Sequence, residues 1–307
     1  MINFNSKIYV AGHNGLVGSA IVRELKKKGY KKIITTNRQK LDLTNQLSVL
    51  RFLKKNNPDF IFLAAAKVGG VYSNNKYKAE YLYENLAIQL NVINGAYLSG
   101  VKNLIFLGSS CIYPKNSKQP IKESYLLTGE LEPTNDAYAL AKITGIKLCE
   151  SYNIQYKTNY KCLMPCNSYG PNDNYDEKNS HFFAALIKKI YLAKKNNKKL
   201  ITIWGSGKPK RELIFVDDIA DACVFFMNKK IPSTLINIGT GNDKTILEYA
   251  KILMSEFKMK LKIEYDKTKP DGVKKKLLNV NLSKKYGWIA KTSLDQGIKD
   301  TLESFNY

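Results

Sequence analysis

Two short stretches of this 307-residue chain hold residue types suited to proton transfer: Leu107-Gly-Ser-Ser-Cys-Ile-Tyr-Pro114 and Tyr138-Ala-Leu-Ala-Lys142. Tyr138 and Lys142 lie four apart in a segment, Tyr138 to Tyr152, that reads as a helix, so their side chains share a face. An ammonium beside a phenol favours the phenolate and lowers a pKa that starts near ~10, which makes the tyrosine a usable acid at neutral pH. Leu104 to Leu107 is an apolar run of buried-strand type, stopped by Gly108-Ser109-Ser110. Small hydroxyl residues at such a strand end stand at the carboxyl edge of a sheet, where open α/β folds bind ligands. A Tyr-x-x-x-Lys pair alone also fits a solvated helix face. The serine strand end, and a glycine loop near the start of the chain, weigh against that.

The elements that must position these groups begin with a strand over Lys7–Ala11 and a helix reaching about Lys28. Between them runs Gly12-His13-Asn14-Gly15-Leu16-Val17-Gly18, with glycines at G-x-x-G-x-x-G spacing. Gly12 permits the tight turn, Gly15 lets backbone approach a pyrophosphate, and Gly18 packs helix on strand. The helix amino terminus then offers free N–H groups to phosphates. A second strand, Lys32 to Thr36, ends at Asn37-Arg38 with no carboxylate to hold a ribose 2′-hydroxyl. Arg38 suits a 2′-phosphate instead, which selects NADP over NAD. Asp42 and Leu43 follow near the adenine, and the strand Phe60–Leu63 runs into Ala64-Ala65-Ala66, small enough for a cofactor to lie against. A helix over about 77–99 precedes the strand at Leu104. Beyond it come a strand over Tyr160–Met164, a helix carrying His181 to Lys195, a strand over Leu200–Trp204, and a helix starting at Phe215-Val-Asp217-Asp218 that returns to the nucleotide domain. The alternation predicts an α/β chain: a Rossmann-type doubly wound parallel sheet (1–165 plus about 215–244) with a smaller interleaved C-terminal α/β substrate domain (about 166–214 plus 245–307).

No stretch of about 18 uninterrupted apolar residues occurs, so no membrane insertion is expected. Met1 to Val10 lacks the pattern of a secretory signal. Five cysteines without paired metal spacing point to no metal site and to a reducing cytoplasm. The formal charge of +23 raises nucleic acid as a partner. The lysines are scattered in short runs (Lys26–Lys28, Lys194–Lys199, Lys274–Lys276), the pattern of a solvated surface rather than a single basic stripe, so no nucleic acid is expected.

With these residues in hand, the sequence resembles the extended short-chain dehydrogenase/reductases over nearly its whole length. The resemblance rests on Ala11 to Ser19, Ala64 to Gly70, Gly108 to Pro114, Leu131 to Asn135, Tyr138 to Lys142, Asn179 to His181, Trp204 to Gly207 and Lys269 to Gly272. Within the family it is similar to the branch that epimerises GDP-4-keto-6-deoxy-D-mannose at C3 and C5 and reduces C4 with NADPH to give GDP-L-fucose. Cys111 is diagnostic, because dehydratases of the family carry acidic residues in this segment and simple 4-epimerases a small one. The resemblance implies that Cys111 as thiolate is the base and His181 the acid at carbons α to the ketone. Ser109 and Tyr138 bind O4, Tyr138 protonates it on reduction, and Lys142 depresses the tyrosine pKa and holds the nicotinamide ribose. It sets Leu107, Gly108, Ser110, Pro165, Asn167, Ser168 and His181 beside the cofactor, with Asn167 also meeting substrate. Trp204, Arg211, Lys189 and Asp271 face the GDP. It further implies a homodimer, for which apolar positions in Tyr81–Ala96 and Ile143–Tyr152 are candidates. Lys189 stands where the family usually has arginine, which loses the bidentate fork. Asn14 replaces a familiar arginine, and Phe182, Phe183, Ala184, Cys166 and Ser168 also depart from the pattern. These changes surround the sugar pocket and leave open a C4-reductase or a C3/C5-epimerase acting on a related GDP-4-keto-6-deoxy sugar such as a heptose.

Overall fold

The computed structural model describes residues 2–176, 179–269 and 271–305. The chain opens as an alternation of strands and helices: β1 (Lys7–Ala11), α1 (Leu16–Lys27), β2 (Lys32–Ile34), α2 (Gln46–Asn56), β3 (Phe60–Leu63), α3 (Val71–Lys76), α4 (Lys78–Leu98), β4 (Asn103–Leu107), α5 (Asp136–Tyr156) and β5 (Asn159–Pro165). It continues through β6 (Asn167–Tyr169), α6 (Phe182–Lys195), β7 (Leu200–Trp204), β8 (Lys210–Phe215), α7 (Val216–Met227) and β9 (Leu235–Ile238). It closes with β10 (Asp243–Thr245), α8 (Ile246–Glu256), β11 (Lys262–Asp266), β12 (Lys275–Lys276), α9 (Asn281–Lys285) and α10 (Leu294–Glu303).

Six strands form one sheet in the order β2-β1-β3-β4-β5-β9, every pair parallel. Its central strands are continuous apolar runs because helices cover both faces; all four residues of β3 are buried. The strand order reverses between β1 and β3, and a crevice at the carboxyl ends of the strands follows from that switch. α7 does return to this sheet: Arg23 of α1 pairs with Asp217 at its start, 2.5 Å apart.

A second sheet is built on β8, which pairs with β6 and β12 in parallel and with β10 antiparallel; β7 and β11 form a separate parallel pair. One apolar core fills the large sheet, and another joins α6, β7, α8 and α10 to Tyr169 and Phe215. Leu278, Val280 and Trp288 pack into the first of these cores.

Several local readings need correction. β2 ends at Ile34 rather than Thr36; the helix expected over 77–99 runs unbroken as α4, and a short helix the sequence reading did not mark, α3, precedes it, set off where Tyr77 adopts φ −114 and ψ 43. β9 has no counterpart in the sequence reading, since its run Leu-Ile-Asn-Ile is interrupted by a polar residue. Asn237 is fully buried there because its amide bonds Tyr113 Oη and the carbonyls of Ile121 and Asn279. Among the candidate dimer positions, Val92, Ile93, Ala96 and Ile146 belong to the protein's own core, while Tyr83 and Leu90 are exposed. Among the described residues no helix is long and apolar enough to cross a membrane, and no group of three or more His, Cys, Asp or Glu side chains converges as for a metal.

Candidate active site

The glycine loop joins β1 to α1 with Gly12 at φ +88, a conformation other residues adopt at a cost. A Cβ on Gly12 would lie 2.6 Å from the Ala65 nitrogen, so the loop and the Ala64–Ala66 strand end touch through backbone. A Cβ on Gly18 would strike the Gly12 carbonyl, 2.6 Å from its carbon. Gly15, by contrast, is exposed and would meet only the Gly12 oxygen at 3.6 Å. Gly15 caps α1 without any side-chain hydrogen bond, which leaves the first N–H groups of the helix for an outside acceptor. These residues fit a dinucleotide: the two outer glycines are filled by packing, and the middle one opens toward the site of a pyrophosphate.

Arg38 is 76% exposed at its side chain and lies 3.6 Å from Glu84. Asp42 is occupied locally, its carboxylate accepting from Thr44 N and Oγ1, which holds its pKa below the usual carboxylate value. The Leu43 carbonyl accepts from Asn91. Asn14 is exposed beside half-buried His13, Leu16 and Val17. At the end of β4, Gly108 donates its N–H to Leu163, and Met164 fills the space a side chain would need. Ser110 is buried in the short turn that follows. Pro165 pairs with Ile238 at the end of β5, and Ser168 pairs with Ile214 on β6. The Asn167 amide donates to the Glu212 carbonyl, tying β6 to β8 instead of pointing freely at a ligand.

The acid–base groups meet at the carboxyl edge of the sheet. Ser109, the Cys111 thiol and Tyr81 all act on the Tyr138 hydroxyl. Burial first, then the thiol and Tyr81, push the Tyr138 pKa above its ordinary value, with Ser109 pulling the other way. The expectation that Lys142 depresses the tyrosine pKa is therefore not met. The Lys142 ammonium is 5.8 Å from the Tyr138 ring centre and instead donates to the Leu107 carbonyl at 2.7 Å, lying over Phe106. Burial without a carboxylate brings Lys142 down to about 7.

Cys111 is half-buried, and its sulfur accepts from Asn135 Nδ2 at 3.3 Å and Lys276 Nζ at 3.5 Å. The other four cysteines are free and buried. His181 stands at the N-cap of α6, exposed at the surface; desolvation of its ring, then the Lys276 charge, hold its pKa below the usual histidine value. Ser109, Cys111, Tyr138, Lys142 and His181 are thus brought to one cleft edge. Lys276 was missed by sequence reasoning, because a three-lysine run reads as surface. Its only sequence signal is the run's place after Asp271-Gly272.

The second cluster lies around Trp204, which is 40% exposed. Lys189 stands 5.3 Å and Lys269 5.6 Å from its ring centre, so a cation sits over the indole in each case. Lys189 also donates to the Thr202 carbonyl at 2.8 Å. Asp271 accepts from Ser206 N and Oγ at 2.6 and 2.7 Å, pinning the Gly205–Gly207 turn. Pro270 of the same motif lies outside the described residues. Arg211 is not a free fork: its guanidinium donates to the carbonyls of Val273, Lys210 and Asp271. Burial lowers its pKa, against the negative charge of Cys111, Asp271 and Glu132. Trp204, Lys189 and Asp271 therefore form one wall, and Arg211 links that wall to Cys111.

Residues 8–239 match the NAD dependent epimerase/dehydratase family. The chain belongs to that family. It is 47% identical over 303 residues to GDP-L-fucose synthase 1 of Arabidopsis thaliana, covering 99% of this chain and 94% of the relative. It is 44% identical to the GDP-L-fucose synthase of Escherichia coli strain K12, over 97% of this chain and 96% of the relative. Among solved structures it resembles a GDP-D-glycero-L-gluco-heptose synthase of Campylobacter jejuni, determined in the presence of NADPH, with TM-score 0.90, 35% identity and 99% of each chain covered.

Proposed function

We propose that this protein converts GDP-4-keto-6-deoxy-D-mannose to GDP-L-fucose, inverting C3 and C5 and reducing C4 with NADPH. The observation that carries this reading is the grouping of a cysteine sulfur, a lysine-buttressed serine–tyrosine pair and a histidine at one sheet edge. The curated relatives named GDP-L-fucose synthase support it.

The protons on C3 and C5 lie α to the C4 ketone, so their removal gives an enolate. Cys111, as thiolate, takes such a proton from one face of the sugar, and His181 returns one from the other. Ser109 and Tyr138 donate hydrogen bonds to O4, where the enolate charge gathers. The upward shift of the Tyr138 pKa keeps it a phenol at neutral pH, ready to give its proton to O4. Bound NADPH supplies hydride to C4. Lys142, tethered to the Leu107 carbonyl, holds the end of β4 against α5 and so fixes the spacing of Ser109 and Tyr138. Arg38 takes the 2′-phosphate, and the Gly12–Gly18 loop the pyrophosphate. The guanine and diphosphate lie along Trp204, Lys189 and Asp271. Arg211 shapes the loop beside them.

Incubation with the keto sugar and NADPH in deuterated water tests the reading. Deuterium at both C3 and C5 of a C4-reduced product is expected; C4 reduction without deuterium would leave only a reductase. A second reading, a reductase or epimerase of a GDP-4-keto-6-deoxy heptose, is favoured by the likeness to the Campylobacter heptose synthase. NMR of products from hexose and heptose substrates separates the two. The same reading makes the protein a cytoplasmic homodimer. Exposed Tyr83, Leu90 and Leu140 on α4 and α5 support the pairing, which light scattering measures. The unpaired thiols support the reducing compartment.

A further inference from the structure

The run Lys274-Lys275-Lys276 is split by the strand it forms. Lys274 is exposed, Lys275 Nζ reaches Asp243 at 3.4 Å on one face, and Lys276 turns the other way into the cleft. The backbone around Lys276 is pinned from several sides. β12 pairs Lys276 with Arg211 of β8, Leu277 N donates to Gln119 at 2.9 Å, and Leu278 N donates to the buried Glu212 carboxyl at 2.8 Å. A long, flexible side chain is thereby launched from a rigid base toward one sulfur atom.

We propose that Lys276 is a positioning residue that sets the charge of both proton-transfer groups, holding Cys111 as thiolate and discouraging a second positive charge on His181. This rests on the roles given to Cys111 and His181 above. A cation within about 4–6 Å of an ionisable group favours its anionic or neutral partner state by about 1–3 pH units. At 3.5 Å from Sγ, Lys276 is the charged one of two donors of different kind; Asn135 contributes a neutral hydrogen bond at 3.3 Å. The other titratable groups acting on Cys111 are Tyr138 from α5 and Arg211 from β8. The tyrosine is a phenol at neutral pH, so positive charge prevails there. At His181 the same ammonium acts together with desolvation of the ring. One lysine thus makes the sulfur a ready base and the imidazolium a readier acid, so that base and acid stay matched around one enolate.

The test uses full-length Lys276→Met and Lys276→Arg proteins without substrate. The pH dependence of iodoacetamide alkylation at Cys111 is followed by peptide mass spectrometry, and the His181 imidazole is titrated by NMR. With two histidines in the chain, His181 is assigned against His13→Gln. In Lys276→Met the alkylation profile of Cys111 should move to higher pH and the His181 midpoint should rise, and Lys276→Arg should restore most of both changes. Unchanged midpoints overturn the proposal, even with a raised KM for the GDP-sugar, since Lys276 would then be a plain substrate contact. Circular dichroism and NADPH binding confirm that each variant folds, and Lys276→Gln replaces Met if that variant does not. Because no sugar is present, shifted midpoints together with absent deuterium exchange would sink the proposed reaction while leaving the lysine's role intact.

Discussion

Replacing Arg38 by alanine should shrink the preference for NADPH over NADH by about tenfold. A guanidinium about 4 Å from a phosphate carrying −1.5 to −2 charges, at high effective dielectric, gains about 2 kcal/mol. Two features of the structure reduce that figure. The side chain is 76% exposed and so screened by salt, and Glu84 at 3.6 Å already shares the charge. About 1–1.5 kcal/mol remains, which is a factor near ten. The assay is kcat/KM for each dinucleotide at fixed ionic strength, wild type against Arg38→Ala. The value for NADPH should fall about tenfold, and that for NADH should hardly move. Raising salt should narrow the wild-type preference and leave the variant's alone. Glu84 also binds Lys67 at 2.5 Å, so Glu84→Gln should leave the fold intact while improving NADPH binding slightly. An unchanged NADPH/NADH ratio in Arg38→Ala would refute the assignment, and the 2′-phosphate would have to be held elsewhere.

Tyr138→Phe should abolish C4 reduction yet keep some proton exchange at C3 or C5, measured by deuterium incorporation; full reduction would show that another group protonates O4. Gly18→Ala should lose about 1–3 kcal/mol of stability by overpacking against the Gly12 carbonyl and weaken NADPH binding, both followed by thermal melting with and without cofactor. Glu212 is fully buried on β8, and burial raises its pKa to about 7 even though Gly241 and Leu278 donate N–H bonds to it. A carboxyl raised on folding stabilises below its unfolded pKa and loses that contribution as pH rises through the folded value. The stability advantage of wild type over Glu212→Gln should therefore fall between about pH 5 and pH 8, and a constant difference across that range would contradict the shift.

The nucleotide half of the fold is legible because its signals are local. β1 and β3 fall at the expected residues, since a continuous apolar run bounded by polar or glycine residues has one good reading. The glycine spacing is equally local, for each glycine answers a contact within its own loop or the adjoining strand end. β9 and β12 were not legible. The strand with buried Asn237 is apolar only after the Tyr113 hydroxyl and two distant carbonyls satisfy its amide, and β12 is a pair of lysines.

By itself the sequence determined the types of the reacting groups and their places on strand ends and helix starts: Ser109 and Cys111 after β4, Tyr138 and Lys142 one turn apart, His181 ahead of α6. It could not decide the charge each group carries, because charge depends on neighbours far apart in the chain. Only the folded molecule tethers Lys142 to Leu107 and away from the phenol. Only there does a strand 165 residues distant bring Lys276 to Cys111. Burial and an unforeseen ammonium, both products of tertiary packing, set the acidities on which the chemistry depends.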